Sequence, residues 1–361
     1  MLIVGLLILN VFLKKVNNKE KHMPHPLDTQ DFHSMITESP AQFATGFSLA
    51  KDARVEGTFT GICVSGMGGS ALPVDVLRIL LNDVAKRHQV VVPALYQNRN
   101  YGMPQGIPTN TLYILSSYSG NTEETLETLE EVIAAGLPAI GMSAGGVLEA
   151  RCKEAGIPHI KLPIPSEGFQ PRMGTGFFIS ALLEICINHG MLPDIREEVL
   201  HDASLVASQI EEIEKEGEAL SQKVVGKTPV IYAPDQLRGL AMVWKIKMNE
   251  NAKTPAFWNY FPELNHNEMV GFTLPQGAFL VIMLRDREDH PRNQKRFALT
   301  AELLREKGVE VEILDIKGES VFNRVLMSIA LGDFTSYFLA LAYGQDPTPV
   351  DMVEKFKKLL V

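Results

Sequence analysis

Cysteine is scarce in this chain and follows no pattern. Cys63, Cys152 and Cys186 are odd in number and scattered, and two of them lie within apolar stretches. That argues against structural zinc and for a reducing compartment. A basic stripe interleaved with aromatics is also missing, and the net charge is −9, so nucleic acid is not an expected partner. No metal-ligand spacing of His and Cys is present, so no metal and no cofactor are expected. The Gly-rich turn that is present has no Gly-Lys-Ser/Thr after it, which excludes a P-loop. It also lacks the third Gly and the later acid of the dinucleotide fingerprint.

The apolar run at the start, Met1 to Leu13, is short of the ~20 residues a spanning helix needs. Lys14, Lys15, Lys19 and Lys21 follow it, whereas a signal peptide carries its charge before the apolar core and a small-residue cleavage site after it. Residues 1–22 therefore read as an N-terminal extension ahead of a start at Met23, with a membrane anchor as the alternative. The remainder, with 45% hydrophobic and 21% charged residues in a chain of 361, has the composition of a soluble globular protein with room for two domains.

What the chain does have is a Ser-rich turn, Ser116-Ser-Tyr-Ser-Gly-Asn-Thr122, between the apolar run Thr111–Leu115 and a segment that opens on Glu123 and Glu124. Acids in a first turn mark a helix N-terminus. The free N–H groups and the dipole there bind anions. The plainer reading is that Ser119 or Thr122 caps the helix; four hydroxyl residues with a glycine favour the anion. A second turn, Gly66-Met-Gly-Gly-Ser70, follows the apolar run 61–65 and precedes a helix expected over 71–82. Glycines there allow close backbone approach to a ligand. With two such turns and no basic residue in either, a sugar phosphate is favoured over a nucleotide triphosphate, which recruits Lys and Mg²⁺ ligands.

Strands are expected at 60–64, 90–95, 111–116, 139–142 and 159–162, alternating with helices, which implies a parallel sheet covered on both faces. Helical periodicity over 174–189 and 193–223 joins this half to a second. There, strands are expected at 229–233, 278–284 and 309–314, with helices at 236–249, 291–307, 320–343 and 349–360. The fold class is thus α/β: two similar domains, each a parallel sheet flanked by helices, with C-terminal helices. The expected domains are 23–190, holding the phosphate turns, and 191–361, which lacks them.

Candidate chemistry lies in the second half. Glu250 ends an apolar helix between Asn249 and Asn251, against the unfavourable end of the dipole. Buried there, a carboxylate would have a raised pKa and serve as a general base. His266, in Glu263-Leu-Asn-His-Asn-Glu268, has polar neighbours able to fix its tautomer, in a stretch over 255–270 read as a loop. Arg172, after Pro171, is placed to steady an oxyanion. The plainer reading is a solvated surface group for Glu250 and Arg172, and ordinary packing for the aromatic-rich stretch around His266.

Six segments in one order carry a resemblance: 66–70, Ser-Tyr-Ser-Gly-Asn-Thr-Glu-Glu-Thr (117–125), Pro171-Arg172, Asn-Glu-Asn (249–251), 263–268 and Asp-Pro-Thr-Pro-Val (346–350). The chain resembles the bifunctional phosphoglucose/phosphomannose isomerases, built from two sugar-isomerase (SIS) domains, from about residue 30 to its end. The resemblance implies that Gly69, Ser70, Ser117, Ser119 and Thr122 hold the substrate phosphate. It implies that Glu250 moves a proton between C1 and C2, that Arg172 stabilises the enediolate, and that His266 assists ring opening. Lys355 matches the family's C-terminal lysine near the ring oxygen, although Lys357 and Lys358 beside it suit an ordinary amphipathic helix. Thr348 would be small enough at the C1–C2 end to admit both C2 epimers. A metal-independent cytoplasmic homodimer is implied, with the histidine supplied by the neighbouring subunit and no membrane partner. The rivals are an isomerase of single specificity and a non-catalytic SIS sensor of sugar phosphates. A sensor would have no reason to keep Glu250, His266 and Arg172 together.

Overall fold

In a computed structural model, residues 25–360 of the chain are described; the expected extension or anchor at 1–22 lies outside the described residues. After two short helices, α1 (Phe32–Thr37) and α2 (Gln42–Ala50), the first half runs β1 (Gly61–Ser65), α3 (Gly68–His88), β2 (Ala94–Asn98), β3 (Thr111–Ser116), α4 (Glu123–Ala134), β4 (Ala139–Ser143), α5 (Gly146–Glu154) and β5 (His159–Lys161). Helices α6 (Thr175–Asn188) and α7 (Arg196–Val224) lead to the second half. This comprises β6 (Thr228–Pro234), α8 (Arg238–Glu250), β7 (Phe257–Phe261), α9 (Glu268–Gly271), β8 (Phe279–Arg285), α10 (Pro291–Glu306), β9 (Glu310–Asp315), α11 (Val321–Ala342) and α12 (Asp351–Leu360).

Both sheets are parallel throughout, in the orders β2-β1-β3-β4-β5 and β7-β6-β8-β9. The first four strands of each half thus follow one scheme. Strands β1, β3 and β4 are buried along their whole length, as near-continuous apolar runs covered on both faces require. One apolar cluster runs from Ile62, Leu112 and Ile140 through Phe178 and Phe334 to Ile231 and Ile282, so the two halves share a core. Smaller clusters cover the far faces, around Tyr113 and Leu129 in one half and Phe261 and Phe297 in the other.

Three expectations are corrected. The strand read at 90–95 begins at Ala94, because Pro93 has no N–H to give a ladder and Val91 lies 96% exposed before it. The helix read at 71–82 extends over Gly68–His88, with Lys86, Arg87 and His88 in its last turn complementing the dipole. The stretch read as a loop over 255–270 contains edge strand β7, a 3₁₀ turn at Glu263–His266 and α9.

Among the described residues one helix, α11, is long and apolar enough to cross a membrane, and it is mostly buried inside the molecule. The three cysteines are free and buried. Burial pushes the thiols of Cys63 and Cys186 up to about 12 and that of Cys152 to about 11, so none is poised as a nucleophile.

The carboxyl ends of β8 and β9 are joined electrostatically. Arg285 and Asp315, register partners across β8 and β9, form a fork-on-fork pair at 2.6 and 3.0 Å, with Arg287 adding a third bond at 2.8 Å. The hydrogen bonds from Arg285 and then Arg287 hold the Asp315 carboxyl down at about 2. A carboxylate held below its ordinary value stabilises the fold above that value and stops doing so as pH falls through the lower one. Asp315→Asn is therefore expected to lower stability at pH 7 by roughly 0.5–1 kcal/mol, the scale of a solvent-screened pair. In urea titrations the difference from wild type should vanish between about pH 4 and pH 2; a constant difference across that window would contradict the pairing.

Candidate active site

Each Ser/Gly turn sits at the carboxyl end of a strand, β1 and β3, side by side in the sheet. Close backbone approach holds them together: a Cβ on Gly66 would come within 2.6 Å of the Ser116 carbonyl. Hydrogen bonds stitch them further. Ser116 Oγ donates to the Ser70 carbonyl at 3.1 Å, and the Tyr118 N–H donates to Ser70 Oγ at 2.9 Å. Ser117 Oγ is buried, accepts from the Gly120 N–H at 3.1 Å, and lies 2.8 Å from Thr122 Oγ1. Gly120 has φ 71°, and a Cβ there would strike the Gly145 carbonyl, so only glycine serves. Ser119 is exposed at the tip.

Thr122 is the N-cap residue of α4, yet its side chain makes no capping bond; nor does Met67 at the start of α3. The capping reading of these hydroxyls is thus not realised, and both N-termini keep donors for an anion. The corresponding turn of the second half is different. It carries Asp286, Glu288 and Asp289, and His290 caps α10 by accepting from the Arg292 N–H.

Gly69 joins these turns to the rest of the site. A Cβ there would lie 2.6 Å from the Arg172 nitrogen and 2.8 Å from the Pro171 carbonyl carbon, so the Gly66–Ser70 turn rests directly on the Pro171–Met173 turn. Arg172 is buried, and its guanidinium is held on several sides. Nε donates to Asn251 Oδ1 at 2.6 Å, and Nη2 donates to the carbonyls of Pro347 and Thr348, both at 2.9 Å. Nη1 donates to Gln170 Oε1 at 3.2 Å and stands 3.3 Å from Glu250 Oε2. Burial pushes Arg172 below its usual range, offset by Glu250 and then Asp333. Glu250, the last residue of α8, is not fully buried: its side chain is 31% exposed on the open side of this pair.

Thr348 is buried, and its Oγ1 has no hydrogen-bond partner among the described residues. A buried hydroxyl without a partner is costly unless a ligand supplies one. Lys253, absent from the sequence reading, closes the far side. At φ 55°, it directs its amine to the carbonyls of Glu250 (2.9 Å), Asn251 (3.2 Å) and Pro347 (3.0 Å). Its stem is exposed but its amine is turned inward; burial first, then Arg172, lowers it to about 8.

His266 and Lys355 do not join this cluster within the chain. His266 is exposed on its 3₁₀ turn, and its neighbours bond elsewhere: Asn265 to Thr300, Asn267 to Glu263, and Glu268 to Tyr232 and Asn259. Three residues per turn send adjacent side chains about 120° apart, so the expected tautomer-fixing contacts do not form. Every residue of α12 is exposed, Lys355 included. Among the described residues no group of three or more His, Cys, Asp and Glu side chains is placed to hold a metal.

Two parallel-sheet halves with one paired set of hydroxyl and glycine turns define a sugar-isomerase (SIS) type protein. Residues 213–360 match the family described as bacterial phospho-glucose isomerase C-terminal SIS domain. A bifunctional phosphoglucose/phosphomannose isomerase of Caldicellulosiruptor bescii is 33% identical over 337 residues, 89% of this chain and 96% of that protein. One from Aquifex aeolicus is 32% identical over 315 residues, 86% and 93% of the two chains. A solved structure of a hypothetical protein from Thermus thermophilus superposes with a TM-score of 0.68 at 15% identity, covering 99% of this chain and 94% of that one. The chain belongs to the bifunctional phosphoglucose/phosphomannose isomerase family.

The contact at Gly69 yields a direct test. Gly69→Ala forces backbone apart at Pro171–Arg172, and overpacking of this kind costs about 1–3 kcal/mol. The urea midpoint should fall accordingly; an unchanged midpoint would contradict the close approach.

Proposed function

We propose that this chain interconverts glucose 6-phosphate and mannose 6-phosphate with fructose 6-phosphate through an enediol(ate), without a metal. The observation that carries the reading is the Glu250–Arg172 pair at 3.3 Å, set against the phosphate turns by the contact at Gly69. Phosphate would be taken by the N-termini of α3 and α4, through Gly69, Ser70, Ser117, Ser119 and Thr122, which anchors the far end of the sugar and leaves C1 and C2 to the pair.

In the forward direction Glu250 removes the proton from C2 of the open aldose while electron density moves onto O1. Arg172 Nη1, the part of the guanidinium facing side chains rather than fixed carbonyls, stabilises the enediolate oxygen. Return of the proton to C1, with the O2 proton lost and O1 protonated, gives the ketose. No atoms are gained or lost. Both C2 epimers converge on one enediol, so the step needs only a site that tolerates either configuration; the compact Thr348, with its free buried hydroxyl, suits that. Ring opening needs proton transfer at the ring oxygen and the hydroxyl. We assign it to His266 of a second subunit, with Lys355 near the ring oxygen, in a cytoplasmic homodimer. The exposure of both residues supports completion of the site by a partner.

The assignment of Glu250 is tested by Glu250→Gln. Isomerisation is expected to fall by at least about 10³-fold, the upper part of the range for loss of a general base. Binding of fructose 6-phosphate, followed by calorimetry, should change less than about 3-fold, because the phosphate turns are separate from the base. Parallel loss of binding and rate would contradict the role.

A further inference from the structure

One buried ion pair takes no part in the chemistry above. Lys247 lies one turn before Glu250 on α8, and Asp333 lies within α11; their side chains are 1% and 5% exposed, with Nζ and Oδ1 2.7 Å apart. The contact is an ion pair between two groups almost wholly removed from solvent. Burial pushes the Asp333 carboxyl up, and Lys247 beside it pulls it back.

The same ammonium donates to the Arg172 carbonyl at 2.8 Å. A closed circuit follows from there. Arg172 Nε donates to Asn251 Oδ1, Asn251 Nδ2 donates to Ser336 Oγ at 2.9 Å, and Ser336 Oγ donates to the Asp333 carbonyl at 2.9 Å. The circuit crosses three separate pieces of chain: α8 with its following residue, the Pro171–Met173 turn, and α11. Arg172 is therefore gripped twice, at its backbone by Lys247 and at its side chain by Asn251.

We propose that the Lys247–Asp333 pair and the Asn251–Ser336 link together form a positioning circuit that sets Arg172, and through it the Glu250 carboxylate, for proton transfer. The inference rests on the isomerase reading above. Stability alone gives little reason for such a pair, since apolar replacements of buried ion pairs are often neutral or stabilising. A fixed backbone carbonyl beneath the one guanidinium of the site does give a reason: misplacement of about 1 Å can cost about 100-fold in rate.

The test uses full-length protein with fructose 6-phosphate as substrate. The Lys247→Met/Asp333→Asn double variant removes both charges together, leaving no unpaired ion. It is expected to unfold within a few degrees of wild type, with kcat reduced about 10–100-fold and KM changed less than about 3-fold. A second variant, Ser336→Ala, breaks the circuit on its far side and should lower kcat about 3–10-fold with KM unchanged. It also decides the matter if the double variant does not fold. Wild-type kcat in a folded double variant, or in Ser336→Ala, would overturn the proposal, as would a rise in KM that accounts for the whole loss. Absence of isomerase activity in the wild-type protein would instead overturn the reading of function, so the two failures are distinguishable.

Discussion

A guanidinium that cannot give up its proton has been placed inside this protein, and much of the site is arranged to receive it. Arg172 is 1% exposed, so its donors must be met by the protein or by a ligand. Asn251, Gln170 and the carbonyls of Pro347 and Thr348 meet most of them. That requirement fixes the end of α8, the segment leading into α12 and the Pro171–Met173 turn relative to one another. Glu250 comes into position as a consequence. The carboxylate and the residue taken to stabilise its product are thus held by a shared structural demand rather than by separate devices.

On the proposed reading, the duplication of the sheet explains why the phosphate turns and the base come from different halves. Both sheets place strands in the same order, but only the first keeps uncapped helix ends beside hydroxyls and glycines. In the second half the equivalent turn, Asp286 to His290, has no glycine and no hydroxyl, and its helix is capped by His290. The contact of Gly69 with Pro171–Arg172 joins the first half's turns to the Glu250–Arg172 pair. A shared apolar core joins the two sheets.

The two strand-to-helix turns of the first half could be read from the chain because their signals are local: apolar runs, adjacent hydroxyls, glycines and first-turn acids. Thr111–Ser116 was placed to the residue on that basis. Strand β7 escaped because Phe257–Phe261 is a short edge strand between Pro255 and Pro262, with Phe257 exposed and Asn259 at its centre; its pairing with β6 is non-local. Of the circuit of Lys247, Asn251, Asp333 and Ser336, only Asn251 stood in a segment that the sequence singled out. Its two pairs, Lys247 with Asn251 and Asp333 with Ser336, are joined across a separation of 85 residues from Asn251 to Ser336, and Asp333 and Ser336 sit in a helix that reads as apolar core. The neighbours of His266 misled for the opposite reason, since adjacency in sequence stood in for contact and a 3₁₀ turn separates them.

The central claim is that one Glu–Arg pair serves both epimers. The most direct measurement follows fructose 6-phosphate formation from glucose 6-phosphate and from mannose 6-phosphate separately, on purified protein with EDTA present. The account expects activity on both substrates at comparable rates, undiminished by the chelator. Activity on one epimer alone, or on neither while sugar phosphate still binds, would contradict it.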